Sequence, residues 1–447
     1  MSASQRSPSP GVGSVARPTV SASPEAPLGP AASGPRSSPD RGRICVLSPP
    51  FARPAPCRQG RSPHGGGLLV VGPVYVPALP ARGSALKAFA DLAPRIRART
   101  APLWTVPPPT PPERLLGRRP PASVHPTPAL LAEHLRGVRR AITTVQRAAP
   151  AWVDAFHVED APGALDSPGP VGEELWRLLA GSGLRPVTGP DREFRQQIAC
   201  AKAAWAGGRG LGVRVLLGEP PDERLSDSAR LMLRRLGLPA GSLDLLLDLG
   251  AVTDEHHQAD KRALLALDLL LPLTTWRTVA VISGAFPRSI PDHAPDPFVE
   301  FERHDWDVWH LVRDSFGVPA GDGRPPSPSA FLYGDYGAQH TRGCDEPSRR
   351  EGGPPWGVLR YTTERTFLLC RFPTDTTDRA RIVRAAARRI VGCGDFRGHT
   401  YSAGDRWLYD CARGFGSRGS GNAEGWLRHG HVQHMTHVVD RLGAVSL

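Results

Sequence analysis

The chain has 447 residues, 40% of them apolar, and a formal charge of +12. That length holds one large domain or two or three ordinary ones, with enough apolar residues for a true core. No run approaches the roughly 20 apolar residues of a membrane span; the most apolar stretch, residues 264–273, is broken by Asp268 and Pro272.

Residues 1–66 stand apart. They hold 13 of the 49 prolines and almost no apolar periodicity. Such a segment cannot bury enough surface to offset its ordering entropy, and a disordered arm is expected. Eight arginines against Glu25 and Asp40 give the arm +6, so residues 67–447 carry the other +6. Only Lys87, Lys202 and Lys261 are lysines, so the basic vocabulary is arginine. The seven cysteines are scattered and odd in number, without a C-x-x-C pair. They read as reduced thiols of a cytoplasmic protein. No 7–15-residue apolar core of a signal peptide opens the chain.

The first expected strand is 67–77, followed by a helix capped by Ser84 with Leu86, Phe89, Ala90 and Ala93 on one face. Strand two is 102–106. A Pro-rich loop with Arg118 and Arg119 leads to a helix striped by Leu131, Leu135, Val138, Ile142 and Val145. Strand three is 151–158, and its helix carries Val171, Leu175, Leu178 and Leu179. Strand four is 184–188, with a helix on Phe194, Ile198, Ala201 and Trp205. Strand five is 211–217, with a helix on Leu225, Ala229, Met232, Leu233 and Leu236. Strand six is 243–249, and its helix spans about 257–271. Strand seven is 276–283. An insertion, 288–328, includes a helix on Val308, Trp309, Val312 and Phe316. Strand eight is 329–337 and ends in Gly334-Asp335-Tyr336-Gly337. A loop, 338–356, precedes a hairpin (358–362 with 366–371) and a helix over about 377–391. The Gly- and His-rich end, 394–447, has little periodicity.

Eight strand–helix alternations imply parallel strands joined by crossover helices. Closed on themselves they make an α/β fold of the (β/α)8 TIM-barrel type, in one domain over 67–447; an open doubly wound parallel sheet is the alternative. No G-x-G-x-x-G follows the first strand and no P-loop occurs, which disfavours dinucleotide and P-loop sites.

An ordered set of short pieces resembles a known family. It comprises Tyr75-Val-Pro77, Pro102-Leu103, Trp276-Arg277, Ser283-Gly-Ala-Phe-Pro287 and Asp305-Trp306 with Trp309. It continues with Tyr333-Gly-Asp-Tyr-Gly337, Leu359-Arg-Tyr-Thr362, Phe396-Arg-Gly398, Tyr401-Ser-Ala-Gly-Asp405 and a His near the end. This order resembles the Beta protein family, named for a phage protein, over about 68–440. The resemblance implies a bacterial or phage-related protein, and it implies no particular activity or cofactor.

Function in such a barrel sits at the C-terminal strand ends. The polar residues expected there are His157, Glu159 and Asp160, Glu219, Asp248, Ser283 and Asp335, with Arg360 and Tyr361 after them. Asp335 and Asp248 are the candidate catalytic carboxylates, able to divide acid and base roles or to hold a divalent cation. Arg360 is the candidate anion clamp. Tyr361, His157, Glu219 and Asp405 complete the candidate ligand-binding set. Each also has a plain reading as a turn or cap residue. His434 and His437, three apart on one helical face, are candidate metal ligands, although the spacing is not H-E-x-x-H. No G-x-S-x-G supports a serine nucleophile.

Two functions follow. One is a site for an anionic or nucleotide-like ligand at the strand tips, with hydrolytic chemistry open to it. The other is a non-enzymatic module that recognises a phage or host macromolecule through 288–328 and 338–356, the basic arm adding weak nucleic-acid affinity. The sequence leaves the choice between them open.

Overall fold

The computed structural model describes residues 72–109, 128–146, 150–159, 175–176, 179, 181–253, 258–288, 298–317, 330–344, 356–415 and 420–445. The expected arm, residues 67–71 of the first strand, Arg118, Arg119, Asp160, Val171, Leu178 and much of both insertions lie outside them.

Eight parallel strands close into a barrel: β1 (Tyr75–Pro80), β2 (Leu103–Thr105), β3 (Trp152–Asp154), β4 (Arg185–Thr188), β5 (Leu211–Leu216), β6 (Leu243–Ala251), β7 (Thr278–Gly284) and β9 (Phe331–Asp335). Between the last two comes β8 (Phe298–Glu302), which is not in the barrel. β1 pairs with β2 on one side and with β9 on the other, which closes the ring and rules out the open-sheet alternative.

The pleat sorts the residues of each strand between two cores. Val76, Ala78, Leu103, Trp152, Val187, Leu246, Ala280, Ile282 and Leu332 fill the lumen. Tyr75, Leu79, Val153, Val213, Val215, Leu245, Leu247, Val279, Val281 and Tyr333 face outward against the helices. Gly212 points inward because the Trp152 indole occupies its side-chain space; a Cβ there would lie 2.7 Å from the ring.

The helices are α1 (Gly83–Asp91), α2 (Pro94–Arg97), α3 (Pro128–Gln146), α4 (Phe156–Glu159), α5 (Phe194–Gly207), α6 (Glu223–Leu236), α7 (Ala259–Leu270) and α8 (His304–Gly317). They buttress the outer faces of the strands. Asp222 caps α6 by accepting from Arg224 N at 3.0 Å, and Gly237 ends it in a left-handed turn.

Beyond the barrel, β10 (Trp356–Thr362) and β11 (Thr366–Pro373) form the expected hairpin. β8 joins β11 antiparallel, so a strand of the first insertion completes a three-stranded sheet. Helices α9 (Arg379–Val391) and α10 (Ala403–Arg413) pack beside it, and α11 (Ala423–Val445) is wedged between this sheet and the barrel.

Four expectations shift. Ser84 does not cap α1 but lies inside it, and Arg82 stands at the N-cap without a side-chain cap bond. The first strand starts at Tyr75 and runs to Pro80. The third stops at Asp154, whose Oδ1 accepts from Phe156 N at 3.0 Å and turns the chain into α4; side-chain capping overrides the strand propensity of Phe156 and Val158. The last segment lacks helical periodicity because α11 is enclosed on nearly every side, from Gly430 to Val439.

Candidate functional site

At the C-terminal ends of the barrel strands four segments bring charge together. Arg214 rises from β5 into the lumen and is only 4% exposed. Its Nε and Nη2 donate to Asp248 Oδ2 on β6 at 2.9 and 2.6 Å, and Nη1 donates to Asp154 Oδ2 on β3 at 2.6 Å. Tyr336, just past β9, donates its hydroxyl to Asp248 at 2.7 Å and accepts from Arg214 Nη2 at 3.2 Å. Asp248 also takes the Gly250 N–H at 2.9 Å. Arg214 has therefore spent its donors on the protein itself.

The network extends outward through Arg192, whose Nη2 faces Asp154 at 3.4 Å and whose Nη1 donates to Glu159 Oε2 at 3.0 Å. Gln196 Nε2 holds the other Glu159 oxygen at 2.7 Å. Burial pushes Asp154 up, but Arg192 and Arg214 outweigh it and hold the carboxyl below its usual range. For Glu159 burial wins: with Arg192 only partly offsetting it and Asp154 adding repulsion, the carboxyl is raised to about 7. Glu159 thus exchanges protons near neutrality at the rim of the mouth.

Asp335 does not belong to this cluster. On β9 the inward positions are Leu332 and Gly334, so Asp335 points away from the lumen. Its Oδ1 accepts from Tyr75 Oη at 2.5 Å and from Gly337 N at 2.8 Å, and its Oδ2 from Tyr333 Oη at 3.0 Å. His434 of α11 lies against Oδ2 through Nε2 at 2.8 Å, while its Nδ1 meets Thr362 Oγ1 at 2.9 Å. Burial raises Asp335, but the neighbouring His434, the tyrosine hydrogen bond and Arg303 bring it down to about 2. The Thr362–His434–Asp335 row has the composition of a nucleophilic triad, yet Thr362 is 1% exposed. It ties β10, α11 and β9 together. Asp335 and Asp248 share no hydrogen-bond partner, so they do not make the acid–base pair expected from the sequence. Strand parity separates them.

Tyr361 and Asp405 do meet, at 2.9 Å, in the core of the small sheet. Asp405 also takes Ser402 Oγ at 2.5 Å, and Ser402 caps α10 through the Gly404 and Asp405 N–H groups. This pair shapes the start of α10. Glu219 stands exposed on the loop after β5. His157, on α4, packs its ring edge-on to Phe156 with centroids 5.2 Å apart.

Arg360 differs from every buried arginine above. It is half-buried beside the C-terminal ends of β7 and β9, its Cζ 5.5 Å over the Phe286 ring. A Cβ built on Gly430 would stand 3.3 Å from the Arg360 Cβ, and one face of that contact is closed by Ala338. Among the described residues its one polar contact is the Val358 carbonyl at 3.2 Å, and its buried Nε has no partner there. Burial, unopposed by any carboxylate, lowers it to about 10. His431 lies alongside. Its Nδ1 accepts from Ala338 N at 3.2 Å, which puts the ring proton on Nε2, and that buried atom is also unpartnered. Burial, with His434 and Arg360 adding to it, drops His431 to about 3.

His437 is fully buried with both ring nitrogens unpartnered, and burial first, then Arg303, brings it to about 2. Among the described residues no three His, Cys, Asp or Glu side chains are placed to hold a metal ion. His434 is already engaged on both nitrogens, so the expected His434–His437 pair shares no open face.

Arg214, Asp154, Arg192 and Tyr336 were not singled out from the sequence. The signal for Arg214 was present: one charge inside Leu211-Gly-Val-Arg-Val-Leu216, at the same parity as Gly212. Asp154 falls in the middle of the expected strand 151–158, where nothing marks it as a strand end. Arg192 lies in a loop, where nothing local marks it.

A cleft lined by Trp176, Leu184, Pro186 and Arg209 opens at the opposite end, before β4 and β5. In barrels of this kind that end serves stability and not chemistry.

No curated protein matches the chain. Among solved structures it is similar to a candidate phosphonomutase from Burkholderia cenocepacia J2315, at 15% identity and a TM-score of 0.28, over 59% of this chain and 86% of that one. That likeness is too distant to carry any chemistry across. The family model described as Beta protein matches residues 75–440, from the first barrel strand through α11, and the chain belongs to the Beta protein family.

Proposed function

We propose that the protein binds a small anionic ligand, one bearing a carboxylate or, like a nucleotide, a phosphate, at the C-terminal mouth of its barrel. One observation carries this reading: Arg360 keeps a positive charge beside the mouth with no carboxylate to match it. Burying an unmatched charge is costly, and an incoming anion relieves the cost. The unpartnered His431 Nε2–H next to it supplies a second donor. The Phe286 ring offers an apolar wall for the rest of the ligand. Arg214 is not the clamp in this reading, because its donors are consumed by Asp154 and Asp248.

Hydrolytic chemistry at this mouth would draw on Glu159, whose carboxyl exchanges protons near pH 7, with Asp248 and Arg214 holding the rim in shape. Asp335 acts at one remove, by fixing the helix that carries His431. A cytoplasmic, phage-related setting is part of the same proposal. The thiols of Cys200, Cys393 and Cys411, which form no disulfide among the described residues, and the family membership support it.

The test is a thermal-shift and calorimetric panel of inorganic phosphate, nucleoside mono- and diphosphates and dicarboxylates. At least one is expected to bind the wild type and to lose tenfold or more in affinity in Arg360→Gln, with the circular dichroism spectrum unchanged. Equal binding by Arg360→Gln would place the anion elsewhere.

A further inference from the structure

The charge of the molecule is not spread evenly. Residues 379–413 hold eight arginines against Asp395, Asp405 and Asp410, a net +5. Residues 67–447 together carry +6, so 35 residues account for nearly all of it. This segment is α9, α10 and the turn between them. Arg379, Arg381, Arg388 and Arg389 of α9 are exposed, and Arg384 is half-exposed. The helix itself contains no acid.

Helix stability does not explain this placement. Arg388 and Arg389 in the last turn suit the helix dipole, but Arg379 and Arg381 sit in the first turn, where a cation is disfavoured. Arg381, Arg384 and Arg388 follow one another at three- and four-residue spacing, and like charges so placed repel. Only partial relief comes from Asp378, which meets Arg381 at 2.8 Å. Arg379, Arg384 and Arg388 have no carboxylate partner among the described residues.

α10 itself carries no net charge: Arg406 and Arg413 are matched by Asp405 and Asp410, and Arg406 pairs with Asp410 at 3.3 Å. Arg384 of α9 lies against the C-terminal end of α10, its Cζ 3.7 Å from a Cβ built on Gly414. Flat rings stand at that end. His399 and Tyr409 stack with centroids 4.8 Å apart, Arg413 lies 4.8 Å over Tyr409, and Phe415 beyond it is 61% exposed.

We infer that the outer face of α9, together with the C-terminal end of α10, is a docking surface for single-stranded nucleic acid. Clustered guanidiniums take backbone phosphates two-pronged, and exposed rings stack bases without regard to sequence. An anionic membrane fits less well. The apolar side of α9 (Val383, Ala386, Ala387, Ile390) is already buried in the protein, so no apolar face is left to enter lipid. The surface is separate from the barrel mouth and does not depend on the reading given for it.

The test is fluorescence anisotropy with a labelled 20-nucleotide oligo(dT) and its RNA counterpart, using the full chain at several salt concentrations. Three proteins are compared: the wild type, Arg381→Gln/Arg384→Gln/Arg388→Gln, and a chain with the eight arm arginines changed to Gln. The α9 triple variant is expected to lose at least tenfold in affinity. Its log K against log salt slope should be shallower by about 2, from three lost phosphate contacts at about 0.7 each. It removes like-charge repulsion, so it folds at least as well as the wild type. A Phe415→Ala variant, expected to weaken binding severalfold with the salt slope unchanged, tests the stacking part without touching charge. An unchanged affinity and slope in the α9 variant, with binding lost only in the arm variant, would overturn the inference. So would binding to phosphatidylserine vesicles with none to either oligonucleotide.

Discussion

At the base of the barrel one aspartate is surrounded by cations. Asp244 takes Arg277 through two bonds of 2.8 and 2.6 Å, Arg185 at 3.0 Å and the Trp152 indole N–H at 2.9 Å. Both arginines keep a solvent-facing side, 18% exposed for Arg185 and 29% for Arg277. At the mouth the ratio is reversed. Asp154, Asp248 and Glu159 face only Arg192 and Arg214, and the two aspartates and Arg214 are shut off from water. The base can lean on solvent to settle its charge. The mouth cannot: Asp191 adds a fourth carboxylate beside Arg192 at 3.4 Å, and burial raises Glu159, nearest the rim, to about 7. The same residue types thus make a plug at one end and a proton-exchanging site at the other.

That contrast can be broken most forcefully at Arg214. Arg214→Met leaves Asp154 and Asp248 buried with their main partner gone, and a loss of about 3–5 kcal/mol in urea denaturation is expected. Arg277→Met at the base should cost only about 1–2 kcal/mol, because Arg185 and Trp152 still hold Asp244. Equal losses would erase the distinction between the two ends.

Acid provides the next largest effect. Asp335 is held at about 2 in the folded chain against an ordinary 3.8. Its contribution is present above pH 4 and drains away as pH falls toward 2, about 2 kcal/mol in all. Asp335→Asn should be less stable at pH 7 and should flatten that part of the pH–stability curve. Glu159 has the opposite sign. Its folded value lies above its ordinary 4.5, so it makes stability fall as pH rises from about 4.5 to 7. In Glu159→Gln that decline should vanish. A ligand-binding or rate profile that bends near pH 7 in the wild type should lose the bend. The smallest effect belongs to Glu219→Ala. That side chain is exposed, and a change within about 0.5 kcal/mol, with ligand binding unaltered, is expected.

The barrel was legible because each parallel strand is buried on both faces and reads as an apolar run, and each helix carries its own stripe. β8 was not legible. Phe298-Val-Glu-Phe-Glu302 is a half-buried edge strand that draws its order from pairing with β11, far along the chain. The candidate site was legible only in part, since a list of strand-tip residues carries no direction. Asp248 lies three residues before the end of β6 and Asp335 ends β9, and only the pairing register tells that one side chain enters the lumen and the other leaves it. Arg360 is legible only as a basic residue in a strand-like run. Its lack of an acidic neighbour is a property of β7, β9, β10 and α11 meeting, which no local pattern contains.

The turn that ends β9 has one more consequence. Asp335 and Tyr336 are consecutive, and they grip opposite sides of the barrel wall: Asp335 the His434 ring of α11, Tyr336 the Asp248 carboxylate in the lumen. Gly337 follows in a left-handed conformation at φ 65°, and a Cβ there would lie 2.6 Å from the His431 ring. These three residues form a pivot. Rotating the peptide plane to loosen Tyr336 would turn Asp335 against its helix, so the lumen and the outer helix cannot be adjusted one at a time. A chain segment three residues long makes the barrel's interior and its C-terminal support one mechanical piece.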